Sequence, residues 1–343
     1  MKKNLIIINN EKCANIQKNY FCENIEISSL TRSLSYYFKV TLFARRGVIR
    51  PIHKISVNNI SIFKSLIFFY FFLFKFLFRQ KKDATYLLIS ITPFTFLSYI
   101  FISLFSDRIF LYLRSHGDEE LKYILGSSFS YLYKFLLFTA SLKSKLICVN
   151  NKISNKKFFF LVHPSQLDKN WMKNKKLGIK KHMLKLLYLG RIKKEKGIYS
   201  LINLYQNINF SFSNILNIVG PGDIIQSKNK NIIISPPLHR RNDIIKLYDN
   251  NDIFILPSFT EGSPQVLIES LSRLKPVIIF NEIKHIKKNY YGIFVARRTS
   301  ESLKKIILYI RKNYENIQNR MKLNRLQTHQ DFIKSLVDIF SIK

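Results

Sequence analysis

"NDIFILPSFTEGSPQVLIES", residues 251–270, holds an apolar run of strand length, a short turn and the start of a helix-spaced pattern. The run ends at Pro257; beyond the turn, Ser263 and Pro264 suit an N-cap and a first helical residue. Val266, Leu267, Leu271 and Leu274 then recur at helical spacing. The stretch therefore predicts strand, loop and helix in succession, the repeating unit of a parallel α/β sheet. In such a unit the amides of the first helical turn, near Gln265 and Val266, form an anion site strengthened by the helix dipole. Glu261 sits in the loop and Glu269 about one and a half turns inside the helix. Carboxylates suit phosphate poorly but accept hydrogen bonds from hydroxyls well. A ligand with both phosphate and hydroxyls fits the whole stretch, whereas an ordinary helix start with a capping acid explains it without a ligand.

Two further loops follow strand-like runs. "LKLLYLGRIKKEKGIYSLINLY", residues 184–205, turns at Gly190 and resumes as a helix with Ile198, Leu201, Ile202 and Tyr205 on one face. Arg191 and Lys196 lie in its loop, a fork-shaped and a point-like cation able to hold a diphosphate. A solvated basic turn is the plainer reading, and it fits Lys193 and Lys194 best. "LNIVGPGDI", residues 216–224, places Gly220, Pro221 and Gly222 after a strand, where a tight turn or a close ligand approach is expected.

In this order and spacing, GR and EKG, VGPGD, EGSPQVLIES and LKPVIIF resemble the C-terminal half of the group 1 retaining glycosyltransferases with the GT-B fold, over residues 184–296. Glu261 and Glu269, with seven residues between them, match that family's acidic pair. The resemblance implies two Rossmann-like, doubly wound parallel-sheet domains facing across a cleft. It implies that Arg191 and Lys196 bind the diphosphate of a nucleoside-diphosphate sugar, helped by Gly190, Gly220 and the amides after Gly262, from Ser263 through Pro264 and Gln265 to Val266. Glu261 would hold donor-sugar hydroxyls and Glu269 the ribose. In the N-terminal half, "LYLRSHGDEE" puts His116 where the family carries a histidine near the donor sugar; a plain loop histidine is the alternative. The expected activity is transfer to a glycan or lipid-linked acceptor in cell-surface polysaccharide or lipopolysaccharide assembly. No cofactor or metal is expected, since the sequence has no Asp-x-Asp triplet.

Two departures from the family pattern stand out. "IIINNEKCANIQ" has no glycine where a glycine-rich loop usually follows the first strand, which leaves acceptor placement open. "SPPLHRRNDIIKLY" carries Pro236 and Pro237 where a glycine is usual, so the nucleobase is not inferred. A nucleotide-sugar epimerase of similar fold, or a non-catalytic nucleotide-sugar-binding subunit, are the competing readings.

Strand-like runs recur at NLIIIN, TYLLIS, RIFLYLRS, KLICVN and KFFFLVH, and again from LKLLYLG to GIFVA. The expected division is 1–165, 166–325 and a last helical segment, 326–343, crossing back to the first domain, with a polar linker near 163–183. A chain of 343 residues has length for two cores. The net charge of +35, from 56 Lys+Arg against 21 Asp+Glu, points to an anionic partner. The abundance of Lys, Asn, Ile and Phe also fits an AT-rich genome. No nucleic-acid-binding motif accompanies the charge, so an anionic membrane surface is the expected partner and nucleic acid is not. Cys13, Cys22 and Cys148 show neither metal spacing nor an even pattern, which with no evident signal peptide predicts a cytoplasmic protein on the inner membrane face. In "ISIFKSLIFFYFFLFKFLFRQKK", residues 60–82, Lys64 and Lys75 leave ten uninterrupted residues, too few for a span. A buried helix or an interfacial one with Arg79, Lys81 and Lys82 at headgroups is expected instead. The oligomeric state is not readable.

Overall fold

A computed structural model describes residues 2–342, except 51, 80–83, 152, 154–157, 180–182, 224–228 and 288. The chain divides into two units: Met1–Pro164 with Gln330–Lys343, and Ser165–His329.

Unit 1 opens with β1 (Asn4–Ile16), β2 (Asn19–Cys22), α1 (Ile25–Leu34), β3 (Lys39–Arg46), β4 (His53–Ile55) and β5 (Asn59–Phe63). It continues through α2 (Leu66–Arg79), β6 (Thr85–Ile89), α3 (Pro93–Ser103), β7 (Ile109–Leu113), α4 (Gly117–Leu125), α5 (Ser127–Ser141), β8 (Lys145–Cys148) and β9 (Phe160–Leu161). Its parallel ladder runs β5-β3-β1-β6-β7-β8-β9. β6 and β7 are buried along their whole length, as apolar runs covered on both faces must be.

The sequence pattern misses β2 to β5, and unit 1 is not purely parallel. After an irregularity between Ile8 and Lys12, β1 continues to Ile16 and pairs antiparallel with β2, which in turn pairs antiparallel with β4. Where a glycine-rich loop was looked for, the backbone stays extended and its polar groups are taken up by this hairpin.

Unit 2 contains α6 (Lys169–Met172), β10 (Met183–Leu189), α7 (Ile198–Gln206), β11 (Ser213–Val219), β12 (Ile232–Ser235), α8 (Arg241–Asp249) and β13 (Ile253–Leu256). Then come α9 (Gln265–Ser272), β14 (Val277–Phe280), β15 (Ile293–Ala296), α10 (Ser300–Lys312) and α11 (Tyr314–Met321). The wholly parallel order β12-β11-β10-β13-β14-β15 is doubly wound, and the winding reverses between β10 and β13. In such sheets ligands lie beyond the carboxyl ends of the strands at that reversal. The stretch 251–270 contains the β13–α9 connection at this place.

The segment read as a polar linker is instead built into unit 2. Leu167 and Trp171 are buried, and the guanidinium of the buried Arg273 donates to the carbonyls of Trp171, Lys173 and Asn174 while forming a two-pronged pair with Asp249. Its lysines and asparagines signalled solvent, but buried partners take up its backbone carbonyls. The last helix, α12 (His329–Ser341), packs in unit 1, where Phe340 meets Phe38 and Phe110.

Candidate functional site

The two loops at the reversal of unit 2 are tied together by backbone before any side chain is considered. Gly197 ends a short turn at Lys194–Lys196 with φ 67°, and a Cβ there would sit 2.0 Å from the Pro257 carbonyl oxygen. Only glycine lets the loop after β10 press against the end of β13 in this way. The Phe259 amide also donates to the Glu195 carbonyl at 3.1 Å.

This closeness brings Lys196 to Glu261 across 65 residues of sequence, Nζ to Oε1 at 2.7 Å, with side chains 21% and 11% exposed. Ser258 Oγ donates to the same carboxylate oxygen at 2.7 Å. Charge-assisted bonds of this length are the strong kind, and their partial burial reduces screening. His285 Nε2 lies 3.0 Å from the Glu261 carbonyl oxygen; since that oxygen can only accept, this nitrogen carries the proton. Arg298 holds the other side of the loop, donating to the Pro257 carbonyl at 3.0 Å and lying over the rings of Phe259 and Phe280.

Glu269 lies within α9, where Oε2 accepts from the Tyr248 hydroxyl at 3.1 Å. Burial pushes its carboxyl from 4.5 up to about 7, against the opposing pull of that hydrogen bond and of Arg241. A folded-state value raised in this way contributes stability that is complete below about 4.5 and is lost as pH rises through about 7. Wild type should therefore lose on the order of 3 kcal/mol across that window that Glu269→Gln does not lose. Urea titrations of both proteins at acid and mildly alkaline pH test this; parallel stability profiles would count against it.

Arg191 is placed differently from the other cation. Its side chain is 56% exposed, with Nη2 3.9 Å from Glu195 Oε1 rather than at the Lys196–Glu261 pair, and its carbonyl accepts from the Tyr188 hydroxyl at 2.6 Å. Gly190 and Gly220 meet each other: the Gly190 amide donates to the Val219 carbonyl, and a Cβ on Gly220 would lie 1.8 Å from the Gly190 oxygen. The close approach expected of a ligand at the Gly-Pro-Gly turn is therefore made by the neighbouring backbone.

The turn before α9 also differs from its reading. Pro264, with φ −70° and ψ 120°, is the cap residue itself, the helix begins at Gln265, and Ser263 makes no cap. Proline carries no amide hydrogen, so Ser263, Gln265 and Val266 are the donors available after the buried Gly262. Gln265 Oε1 accepts from the Gln166 amide at 3.1 Å, which turns that side chain toward the segment entering unit 2. Leu274 lies past the helix end with φ 56° and is buried all the same. His116 belongs to unit 1, buried ahead of α4 beyond the carboxyl end of β7, with Nε2 3.4 Å from Asn150 Nδ2. Among the described residues no cluster of His, Cys, Asp and Glu has metal-binding geometry.

Ser258, Tyr248, His285 and Arg298 were not singled out from sequence. Ser258 lay inside the quoted stretch; the other three reach the site only through folding.

A family model described as "Glycosyl transferases group 1" matches residues 169–327. This part of the chain belongs to the group 1 glycosyltransferase family. Over 224 residues the chain is 27% identical to the UDP-Gal:alpha-D-GlcNAc-diphosphoundecaprenol alpha-1,3-galactosyltransferase of Escherichia coli, covering 56% of this chain and 57% of that one. It is 30% identical over 160 residues to the capsular polysaccharide biosynthesis glycosyltransferase CapM of Staphylococcus aureus, 41% of each chain. The chain spans between 26% and 57% of the length of the curated relatives it matches. The structure of WaaG, a glycosyltransferase involved in lipopolysaccharide biosynthesis, superposes with a TM-score of 0.65 at 13% identity, over 99% of this chain and 100% of that one. The fold of the chain is GT-B, with two Rossmann-like units.

Proposed function

We propose that the chain is a retaining glycosyltransferase that moves a sugar from a nucleoside-diphosphate sugar to a glycan or lipid-linked acceptor in cell-surface polysaccharide assembly, working on the cytoplasmic face of the membrane. The observation that carries this reading is the Lys196–Glu261–Ser258 cluster at the reversal of a doubly wound sheet, next to the first turn of α9. An ammonium has three donors and a carboxylate about four acceptor positions, so each has capacity beyond the pair they form. Lys196 and the α9 amides suit the diphosphate, joined by Arg191 once its exposed side chain swings inward. Glu261 suits hydroxyls of the donor sugar, and Glu269 the two ribose hydroxyls. Two protein cations give this site positive charge of its own for a departing diphosphate, and the reading includes no metal and no further cofactor. His116, from unit 1, is assigned to the sugar end of the donor.

In the reaction, the bond from the anomeric carbon to the diphosphate oxygen breaks through an oxocarbenium-like state. The acceptor oxygen bonds to that carbon on the same face, and its proton passes to the departing phosphate oxygen. Fixed positive charge from Lys196 and Arg191 stabilises the leaving group where its charge develops.

A thermal-shift screen of the protein against UDP, GDP, ADP and CMP tests the donor site and names the base, since binding only the folded state raises the melting temperature. Arg191→Ala should weaken the preferred nucleoside diphosphate by roughly tenfold, the loss of one charge-assisted hydrogen-bonding group. Unchanged affinity in that variant would return Arg191 to the role of a solvated loop residue, and no stabilisation by any of the four would remove the donor site.

A further inference from the structure

α2, α3 and α5 form one layer of unit 1. The connections β5–α2–β6, β6–α3–β7 and β7–α5–β8 all step the same way along the sheet, so right-handed crossovers put the three helices on a single face. α12 lies on the opposite face with the segment after α1, through the contact of Phe340 with Phe38. Side by side, Phe74 of α2 meets Phe101 of α3, and Tyr99 of α3 donates to the Thr139 carbonyl of α5.

The inward faces are ordinary: Phe69, Leu73 and Leu77 of α2 are buried. The outward faces are not. On α2, Ile67, Phe71, Phe74 and Phe78 are 81%, 60%, 39% and 67% exposed at positions i, i+4, i+7 and i+11. On and just after α5, Tyr131, Phe135, Phe138 and Leu142 repeat the same spacing at 63–72% exposure. Leu97 and Ile100 within α3 and Leu104 just past its end are exposed on the helix between them. A contiguous apolar face of three helices is far more than the scattered exposed residues of a monomer surface.

Charge selects its occupant. The three helices contain no Asp or Glu, and their charged residues are Lys75, Arg79 and Lys134. Lys64 and Lys143 flank them; the exposed Asp107 lies 3.9 Å from Lys143, and Asp118 of α4 lies 3.7 Å from Lys134, which is still 57% exposed. A second copy docked on this face would bring like charges together, whereas anionic headgroups complement them. Among the described residues no helix is long and apolar enough to cross a membrane, so the helices suit an attachment parallel to the surface.

We infer that the outer face of α2, α3 and α5 is a bilayer-docking surface, with its phenylalanines in the headgroup–acyl boundary and Lys75, Arg79 and Lys134 at anionic headgroups. Of residues 60–82, read as a buried or an interfacial helix, 60–63 belong to β5 and α2 begins at Leu66 with its inner face buried; the interfacial reading of its outer face rests on this inference, and Lys81 and Lys82 lie outside the described residues. This inference is independent of the transferase reading, because vesicle binding needs no donor.

The test is co-sedimentation of the full chain with vesicles of phosphatidylcholine alone or mixed with phosphatidylglycerol. Three proteins are compared: wild type, a variant combining Ile67→Ser, Phe71→Ser, Phe135→Ser and Phe138→Ser, and a variant combining Lys75→Glu and Arg79→Glu. Wild type should partition onto the mixed vesicles, the charge variant at least about tenfold less, and the serine variant not measurably. Both variants should keep their melting temperature, because the altered side chains are exposed. Wild type that stays in the supernatant with both vesicles, or a folded serine variant that still sediments, overturns the assignment. So does a wild-type dimer that the serine variant dissolves and vesicles do not, which would give the face to a second copy.

Discussion

Lys196→Ala should lower kcat for sugar transfer about a thousandfold, the loss typical of removing one group that faces developing charge in a reacting centre. The side chain is positioned for this by two features. Gly197 lets its loop press against Pro257, and Glu261 and Ser258 hold the region where the ammonium points. Its removal leaves the Glu261 carboxylate, 11% exposed, with the Ser258 hydroxyl but without its cation, so a lowered melting temperature should accompany the kinetic loss, and rates are compared well below it. Initial rates with saturating donor separate this from a binding defect: a loss confined to KM would mean that Lys196 binds ground state and transition state alike. Near-wild-type kcat would remove it from the reaction. Lys196→Arg keeps the charge but not the point geometry and should recover only part of the rate.

Arg273→Ala should destabilise unit 2 by about 4 kcal/mol or more, in the range for breaking a buried ion pair by removing one partner. The side chain is 1% exposed, its bond to Asp249 is two-pronged, and three carbonyls of the entering segment depend on it. Without it, a carboxylate and those carbonyls remain in place with their donor gone. Urea unfolding monitored by the fluorescence of Trp171, the only tryptophan, reads the affected region directly. A midpoint within error of wild type would show that water replaces the guanidinium at little cost. Arg273→Lys should rescue poorly, since one ammonium cannot reproduce the fork and the carbonyl contacts together.

What the sequence made legible follows from burial. Strands covered on both faces, such as β6, β7, β13 and β14, are unbroken apolar runs and were readable as such. β2, β4 and β5 are short and only partly buried, with polar residues through them, so they left no comparable run. β3 is better covered, but its run is mixed with Lys39, Thr41, Arg45 and Arg46. In the site, Lys196 and Glu261 were readable one at a time from their loops, while their pairing depends on the order of strands in the sheet. Tyr248, which meets α9, and His285 and Arg298, which meet the loop before it, come from elements whose sequences give no sign of these contacts. The Gly-Pro-Gly turn was legible as a place of close approach, but sequence could not say that the approaching group is Gly190.

The way the chain enters and leaves unit 2 has an evolutionary consequence. The His329 amide donates to the Leu167 carbonyl at 2.8 Å, and His329 Nδ1 lies 3.0 Å from the Ser165 carbonyl oxygen, so the two crossings are fastened side by side. Unit 2 is thus inserted into unit 1 through one paired seam, with α12 completing the host after the insert. A seam of this kind lets recombination exchange the whole insert at two neighbouring junctions while the host keeps its own last helix. Under the proposed function, with the donor held by unit 2, lineages sharing such a seam can acquire a new donor preference as a cassette while unit 1 is left as it is.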